Sequence, residues 1–420
     1  MAGATKTTAD SALKEDYQPM IRTQINNDIP LLTYVEKNTK DLEGRRAVLS
    51  VHVTRNSGIG SRAELGTLPT AGSQGFQEER VSLKYHYGRI QVSGPLLRAA
   101  ASDRASFERA LDGETKRVVN DLKRDVNRQV WGTSDGVIAQ LALTTSSLQI
   151  QLASSLSGAT GAAIGSDVQF RQLEVGMLVD IGTVAAPTLK TSANAIARTG
   201  GTGTSADPYW IQLTAVATTS GTDFVFRSGN GGSGANQKEV TGMQSIIDST
   251  GTLFNIDPTS YPVWASTEMS NSGTNRQISE TLMAQCVQNI NIASGTWPNL
   301  AITHHGVFRA YANLLLGMKR FNDTQQLKGG YNAGIPFIGG GGSVIPVVTD
   351  RDCPANSMYF INTSHLIEFQ ASEWEFMQED GAVLSRVSGL DAYEAILFKD
   401  MEVATDQRNT HGKILDLSAA

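Results

Sequence analysis

The sequence predicts an α+β chain with parts that reach past its own core. Three observations carry that prediction. Near the front, two strand-like stretches, Arg46–Thr54 and Val81–Val92, are separated by a polar, glycine-rich excursion. One long charged helix follows at about Asp103–Trp131. Near the back, Leu366–Phe376, a turn at Asp380-Gly381 and Glu394–Phe398 read as paired strands.

The elements follow in order. From its start to about Gly44 the chain is mixed in charge and weakly periodic, with one apolar knot at Ile29, Pro30, Leu31 and Leu32, and it reads as an arm that gains order by lying on something else. From Arg46 the alternation is clean: Ala47, Leu49, Val51 and Val53 share one face, the period-2 pattern of a half-buried strand. Asn56–Gly75 then carries six turn-forming Gly and Pro residues. A connection of about 20 residues is long for a hairpin, and such loops commonly serve contact or function. The partner strand places Val81, Leu83, Tyr85 and Tyr87 on one face; the phase slips at Gly88, which reads as a β-bulge. In the helix, Phe107, Leu111, Val118, Leu122, Val126 and Val130 form the apolar stripe, and the charged faces around it read as solvated. From about Ala139 to Asn230 the chain turns rich in Thr, Ser, Ala and Gly, with short strand-like pieces at Ser147–Leu152, Met177–Ile181, Trp210–Val216 and Phe224–Phe226, the pattern of a small inserted β module with an exit linker at Gly229–Gly234. Ile278–Ile290 and Gly306–Phe321 read as helices beyond it.

Composition narrows the function. The 420 residues are 40% hydrophobic and 18% charged, enough to bury real cores. The net charge of −6 argues against a surface that neutralises nucleic acid, because phosphate binding needs clustered Lys and Arg. Cys286 and Cys353 make neither a disulfide framework nor a metal set and read as reduced thiols. The first residues lack an apolar signal core, and no window approaches a membrane span, so a soluble intracellular product is expected.

The search for chemistry returns no site. Gly339–Gly342 lacks the Lys-Ser or Lys-Thr that a phosphate-cradling loop requires. His304 and His305 are adjacent and point apart on a strand. Asp350 and Asp352 lie in a turn-rich stretch between Pro346 and Pro354, where carboxylates cap turns. Cys353 has no activating His at a recognisable spacing. No catalytic residue, cofactor or metal site is expected.

The order of parts resembles the major capsid proteins of tailed bacteriophages, with the Hong Kong 97-like fold. The closing segments HLIEFQASEWEFMQEDG and LDAYEAILFKDMEVATDQRNTHGKILDL are similar to that family's returning strands and terminal axial segment. VTGMQSIIDSTG, FNIDPTSYPVWAS and ITHHGVFRAYANLL ahead of KRF look like its middle. The resemblance implies an N-terminal arm (1–44), an extended hairpin or E-loop (45–94), a peripheral domain with a spine helix (95–132 and 363–398), and an axial domain (133–362 and 399–420), with 139–230 as an inserted β-rich domain.

The function that follows is non-catalytic self-assembly through pentamers and hexamers into an icosahedral shell around double-stranded DNA, which is held without sequence-specific binding. The expected location is the virion, after assembly in the host cytoplasm, without a membrane. The expected partners are copies of the chain itself, a separate scaffolding protein, a portal and decoration proteins; nothing in the sequence points to a maturation cleavage. Arg46, Arg55, Arg62, Glu78, Glu79, Arg80, Lys84 and Arg89 are the candidate inter-subunit contacts, available for ion pairs around the hairpin. Some relatives of that family join neighbouring subunits through a Lys–Asn isopeptide bond; Lys84 is expected in the hairpin, but no catalytic carboxylate accompanies it, so cross-linking is not expected. Two other readings are an encapsulin-type protein compartment and a Thr/Ser/Gly-rich surface adhesin, the latter predicting elongated trimers or monomers.

Overall fold

A computed structural model describes residues 30–38, 46–95, 104–153, 166–183, 189–204, 206–232, 237–315, 335–338, 344–378 and 383–419. Among these, three six-stranded sheets and a separate two-stranded hairpin surround one long helix. The turn at Asp380-Gly381, the run Gly339–Gly342, the KRF segment and most of the expected arm lie outside the described residues.

The helix spans Arg104–Val130, one residue inside each expected end. Its 27 residues extend about 40 Å at 1.5 Å per residue. Val126, Val130 and the following Trp131 are buried and form a core with Met243, Ile246, Trp264 and Val403. The expectation of a solvated charged face fails at this end. Asp125 and Arg128 are buried as well.

The helix lies against the first sheet, whose axis is the long strand Ala392–Ala404. Lys84–Ser93 runs antiparallel to it from Ser93 opposite Ala392 to Lys84 opposite Met401. Ile367–Gln370 pairs with its last residues, and Glu36–Asn38 adds a parallel strand beyond, so this piece of the N-terminal region does lie on another element. The stretch expected as one strand over Leu366–Phe376 is two, Ile367–Gln370 and Glu375–Phe376.

Two expectations about the hairpin are corrected. Val81–Val92 is not one strand partnering Arg46–Thr54. The partner of Ala47–Thr54 is Gly75–Val81, while Lys84–Ser93 belongs to the first sheet; Ser82 and Leu83 form the joint. Nor does Gly88 make a bulge, since the pairing of its strand is continuous. The bulge is at Val53, where His52 opposes Phe76 and Thr54 opposes Gly75. Gly88 instead faces the helix, and a Cβ there would lie 2.9 Å from Val118 Cγ1. Glycine at this point permits the close approach of helix and sheet. Tyr85 and Tyr87, expected with the apolar set, project from the opposite, exposed face.

The second sheet contains Val137–Gln140, Phe224–Arg227, Leu178–Gly182, Leu189–Gly200, Trp210–Thr219 and Thr145–Gln151 in that spatial order. An antiparallel bridge between Leu141 and Leu152 joins its first and last strands and closes it. Ile138, Ile150, Val179, Ile181, Ile211 and Leu213 fill the interior. Closure removes the free sheet edges that invite unwanted pairing.

The third sheet orders Thr267–Met269, Gly412–Ile414, Met358–Ile361, Leu300–Thr303, Val344–Thr349 and Ile335–Ile338. Helix Glu280–Ser294 packs on it through Met283, Val287 and Ile290. This helix starts two residues later than expected because Ser279 caps it, accepting from Leu282 N at 3.2 Å, and it ends at Gly295 with φ +79°. The next helix occupies His305–Leu315, with Val307, Ala310 and Tyr311 buried and Leu314 exposed.

Gly88→Val is expected to lower stability by about 1–3 kcal/mol, the usual cost of overpacking. Urea unfolding of the variant beside the native chain checks it.

Candidate assembly interface

The hairpin is the part of the chain least committed to its own fold. Its two strands, Ala47–Thr54 and Gly75–Val81, form a sheet of their own. Their base is anchored by Arg80 N donating to Phe254 O (3.0 Å) and Gln77 Nε2 donating to the Tyr261 hydroxyl (2.8 Å). Above the strands, Asn56 stitches the loop: its Nδ2 donates to Gly72 O (3.0 Å) and its Oδ1 accepts from Gly58 N (2.6 Å). His52 Nε2 and Gln74 Oε1 meet across the same neck at 2.7 Å. A side chain at Gly72 would meet Asn56 Oδ1 at 2.5 Å, so this crossing needs glycine.

Beyond the neck, the tip presents apolar side chains to solvent. Ile59 is 81% exposed, Leu65 102% and Leu68 86%, so none of them packs on its own chain. Val48 and Phe76 continue the exposure along one face of the strands. Apolar side chains gathered on a protruding element mark an interaction surface. Reading the sequence for charge passes over these residues; the available signal is three large aliphatics in a loop otherwise built of turn formers.

The eight charged candidates divide. Arg46 and Arg55 are exposed, without an ion-pair partner among the described residues, and Arg62 donates to the carbonyls of Ser61 and Thr67 in its own loop. Glu78 and Arg80 pair with each other at 2.9 Å on the exposed face of their strand. Lys84 Nζ donates to Gln237 O (2.7 Å), and Arg89 pairs with Glu394 on the neighbouring strand.

Glu79 is a correction. It is fully buried, with both carboxylate oxygens lacking hydrogen-bond partners among the described residues, and cannot meet a neighbour's cation where it lies. Burial, with the nearby Asp406 charge adding to it, pushes its carboxyl from 4.5 up to about 8. It therefore sits as the neutral acid at pH 7.

A buried charge cluster fixes the end of the spine helix from which these parts extend. Arg128 grips Glu239 with two donors (3.2 and 2.5 Å) and gives its Nε to Asp125 Oδ1 at 3.1 Å. Arg227 pairs with the same Asp125 oxygen at 3.3 Å, balancing two anions with two cations. Gln129 Nε2 and Asn230 Nδ2 each donate to one of the carboxylates, both at 2.9 Å. Burial would raise the Asp125 carboxyl, but the two guanidiniums hold it down at about 2. Nearby, Asp350 accepts from Trp131 Nε1 (2.9 Å) and from Asp352 N (2.9 Å), while Asp352 accepts from Asn127 Nδ2 (2.9 Å). Both carboxylates thus serve packing. Cys353 is buried and its thiol pushed well up by that burial, so it is not a poised nucleophile. No group of three metal-ligating side chains occurs among the described residues.

No protein-family model and no curated protein matches the chain. Solved structures do. One from the capsid asymmetric unit of cyanophage A-1(L) aligns over 99% of both chains with a TM-score of 0.60 at 13% identity. One from the capsid of an empty GTA particle covers 99% of this chain and 100% of its own, with a TM-score of 0.52 at 10% identity. The chain has the Hong Kong 97-like capsid fold. At these identities it is the backbone architecture that is shared.

Two outcomes are expected. Arg128→Ala, which leaves the buried Glu239 without its cation, should cost about 3–5 kcal/mol in chemical denaturation. For Glu79, the raised folded-state pKa means its contribution is complete below about pH 4.5 and is lost as pH rises through about 8. Glu79→Gln should therefore match the native chain near pH 5 and exceed it in stability near pH 9, as read from melting temperatures across that range.

Proposed function

We propose that this chain is the major capsid protein of a tailed double-stranded DNA phage, assembling through pentamers and hexamers into an icosahedral shell. The observation that carries this reading is the end-to-end match of the fold to capsid chains, combined with a hairpin whose apolar tip is exposed to solvent among the described residues. In this reading the hairpin lies over an adjacent subunit and the third sheet with its two helices is the axial domain around which rings form. The closed sheet is an inserted domain, and 1–44 is the arm. A contact between two different patches, repeated with rotation, closes rings. Exposed ion pairs contribute only about 0.2–1 kcal/mol each, but a shell repeats them many times. The net charge of −6 suits a wall that confines DNA without gripping it. Its role is structural, with no catalytic step. A separate scaffolding protein, a portal and decoration proteins are the further partners, and the virion is the location.

The test is negative-stain electron microscopy with sedimentation, on the chain expressed alone and together with a candidate scaffolding protein. Closed polyhedral shells are expected. Packaged DNA would support the phage assignment and a co-purified enzyme the protein-compartment alternative. Stable elongated trimers under both conditions would overturn the shell.

A further inference from the structure

A groove between the root of the hairpin and the exit of the closed sheet concentrates positive charge. It is a cavity of about 1290 Å³, and the cations that line it are Arg46, Arg80, Lys84, Arg227 and Lys238. Among the described residues its one acid is Asp125, which Arg128 and Arg227 already neutralise. Arg46, Lys84 and Lys238 pair with no carboxylate among the described residues. Lys84 and Lys238 give their ammonium groups to the carbonyls of Gln237 and Gly229, and Arg46 is exposed. The whole chain carries −6, so this excess of cations is local. A cleft lined by one sign of charge focuses its field on the space between the walls.

Much of the remaining lining consists of hydrogen-bond donors. Ser82, Thr252, Asn255 and Gln237 bring hydroxyls and amides beside the cations. Guanidinium, ammonium, hydroxyl and amide together are the set that meets phosphate oxygens. His86 lines the same groove; it is 5% exposed, and its Nε2 has no hydrogen-bond partner among the described residues. A buried polar atom left open in this way marks a position that something beyond the chain completes. Burial, joined by the charges of Lys399, Arg128 and Lys84 and opposed by Asp125, pushes the His86 imidazole from 6.5 down to about 4. The ring is therefore neutral at pH 7, with one N–H to give.

We propose that this groove binds a small ligand carrying several phosphate groups, an oligophosphate or a nucleoside triphosphate, held by Arg46 and Lys84 on the hairpin side and by Arg227 and Lys238 on the exit segment. Its volume lies just above the ~300–1,000 Å³ of ordinary small-molecule sites. Guanidinium forks match phosphate geometry, and lysines serve as point charges beside them. The bound anion adds to the Lys84–Gln237 hydrogen bond that already joins these two parts of the chain. The site is built within one subunit, so it stands apart from the shell reading. A ligand that binds only the folded chain stabilises it by mass action.

Titration calorimetry of the full chain with inorganic tripolyphosphate, in the absence of divalent cations, tests the site. One saturable site per chain is expected, with weaker binding of sulfate, affinity that falls as salt screens the charges, and a raised melting temperature. Arg46→Gln and Lys238→Gln alter exposed positions, one on the hairpin side and one on the exit segment. Each should weaken binding several-fold and the pair about tenfold, while the melting temperature without ligand stays at the native value. Arg198→Gln, an exposed cation of the closed sheet outside the groove, should leave the affinity unchanged. Adenosine triphosphate, titrated alongside, separates the two sources: tighter binding than tripolyphosphate supports a nucleotide, weaker binding a bare oligophosphate. No saturable binding at millimolar tripolyphosphate, or an equal loss in Arg198→Gln, would overturn the site. A short DNA duplex that binds through Arg46 and Lys238 and resists displacement by tripolyphosphate would overturn the small ligand and leave a nucleic-acid contact in its place.

Discussion

The buried Arg128 is the joint on which the rest of the chain hangs. Its guanidinium holds the last turns of the spine helix to Glu239, and through Asp125 it reaches Arg227 at the end of the closed sheet. Three buried charges, with Arg227 half-exposed at their edge, are weak evidence for stability, because desolvation offsets most of their attraction. Their value here is geometric. Bidentate pairing has a narrow tolerance, so the helix, the exit of the closed sheet and the segment that follows it can meet in one arrangement only. The strand that follows the hairpin is held against the same helix at Gly88, where a Cβ would press on Val118.

The same economy of contact explains the division between the two ends of the hairpin. Its base is tied to the body by Arg80 and Gln77, and Arg408 stiffens the segment below by donating to the carbonyls of Ser245, Ile246, Thr250 and Gly251. The tip is tied only to itself. A rigid root with an unattached end is what a subunit needs if the end is to find its packing on another copy.

Much of this architecture is legible in the residues, and the failures have a common physical origin. The spine helix is read within one residue at each end because its apolar stripe is long and regular. The first hairpin strand is equally clear from Ala47, Leu49, Val51 and Val53. The second strand fails because its alternation runs on across Ser82 and Leu83, where the chain passes from one sheet to another. Gly88 reads as a bulge only if Tyr85 and Tyr87 point inward; both rings face solvent instead, and the inferred phase inverts. Glu79 is misplaced for a related reason. It shares parity with buried Val81, and its charge overrides that signal. Of the ion cluster around Arg128 only the i,i+3 pair with Asp125 is legible, since Arg227 and Glu239 lie about a hundred residues away and only the fold brings them in.

The closed sheet has one more property. Val137 at its entrance and Phe226 at its exit are directly paired neighbours, so the chain comes in and goes out through a single narrow doorway. A module with its two ends side by side is topologically a pendant. It can be lengthened, shortened or traded for an unrelated domain without moving the elements on either side, provided that whatever replaces it still delivers an arginine to Asp125. That makes this stretch the natural place for chains with the same fold to diverge, and a ready attachment point for foreign sequences.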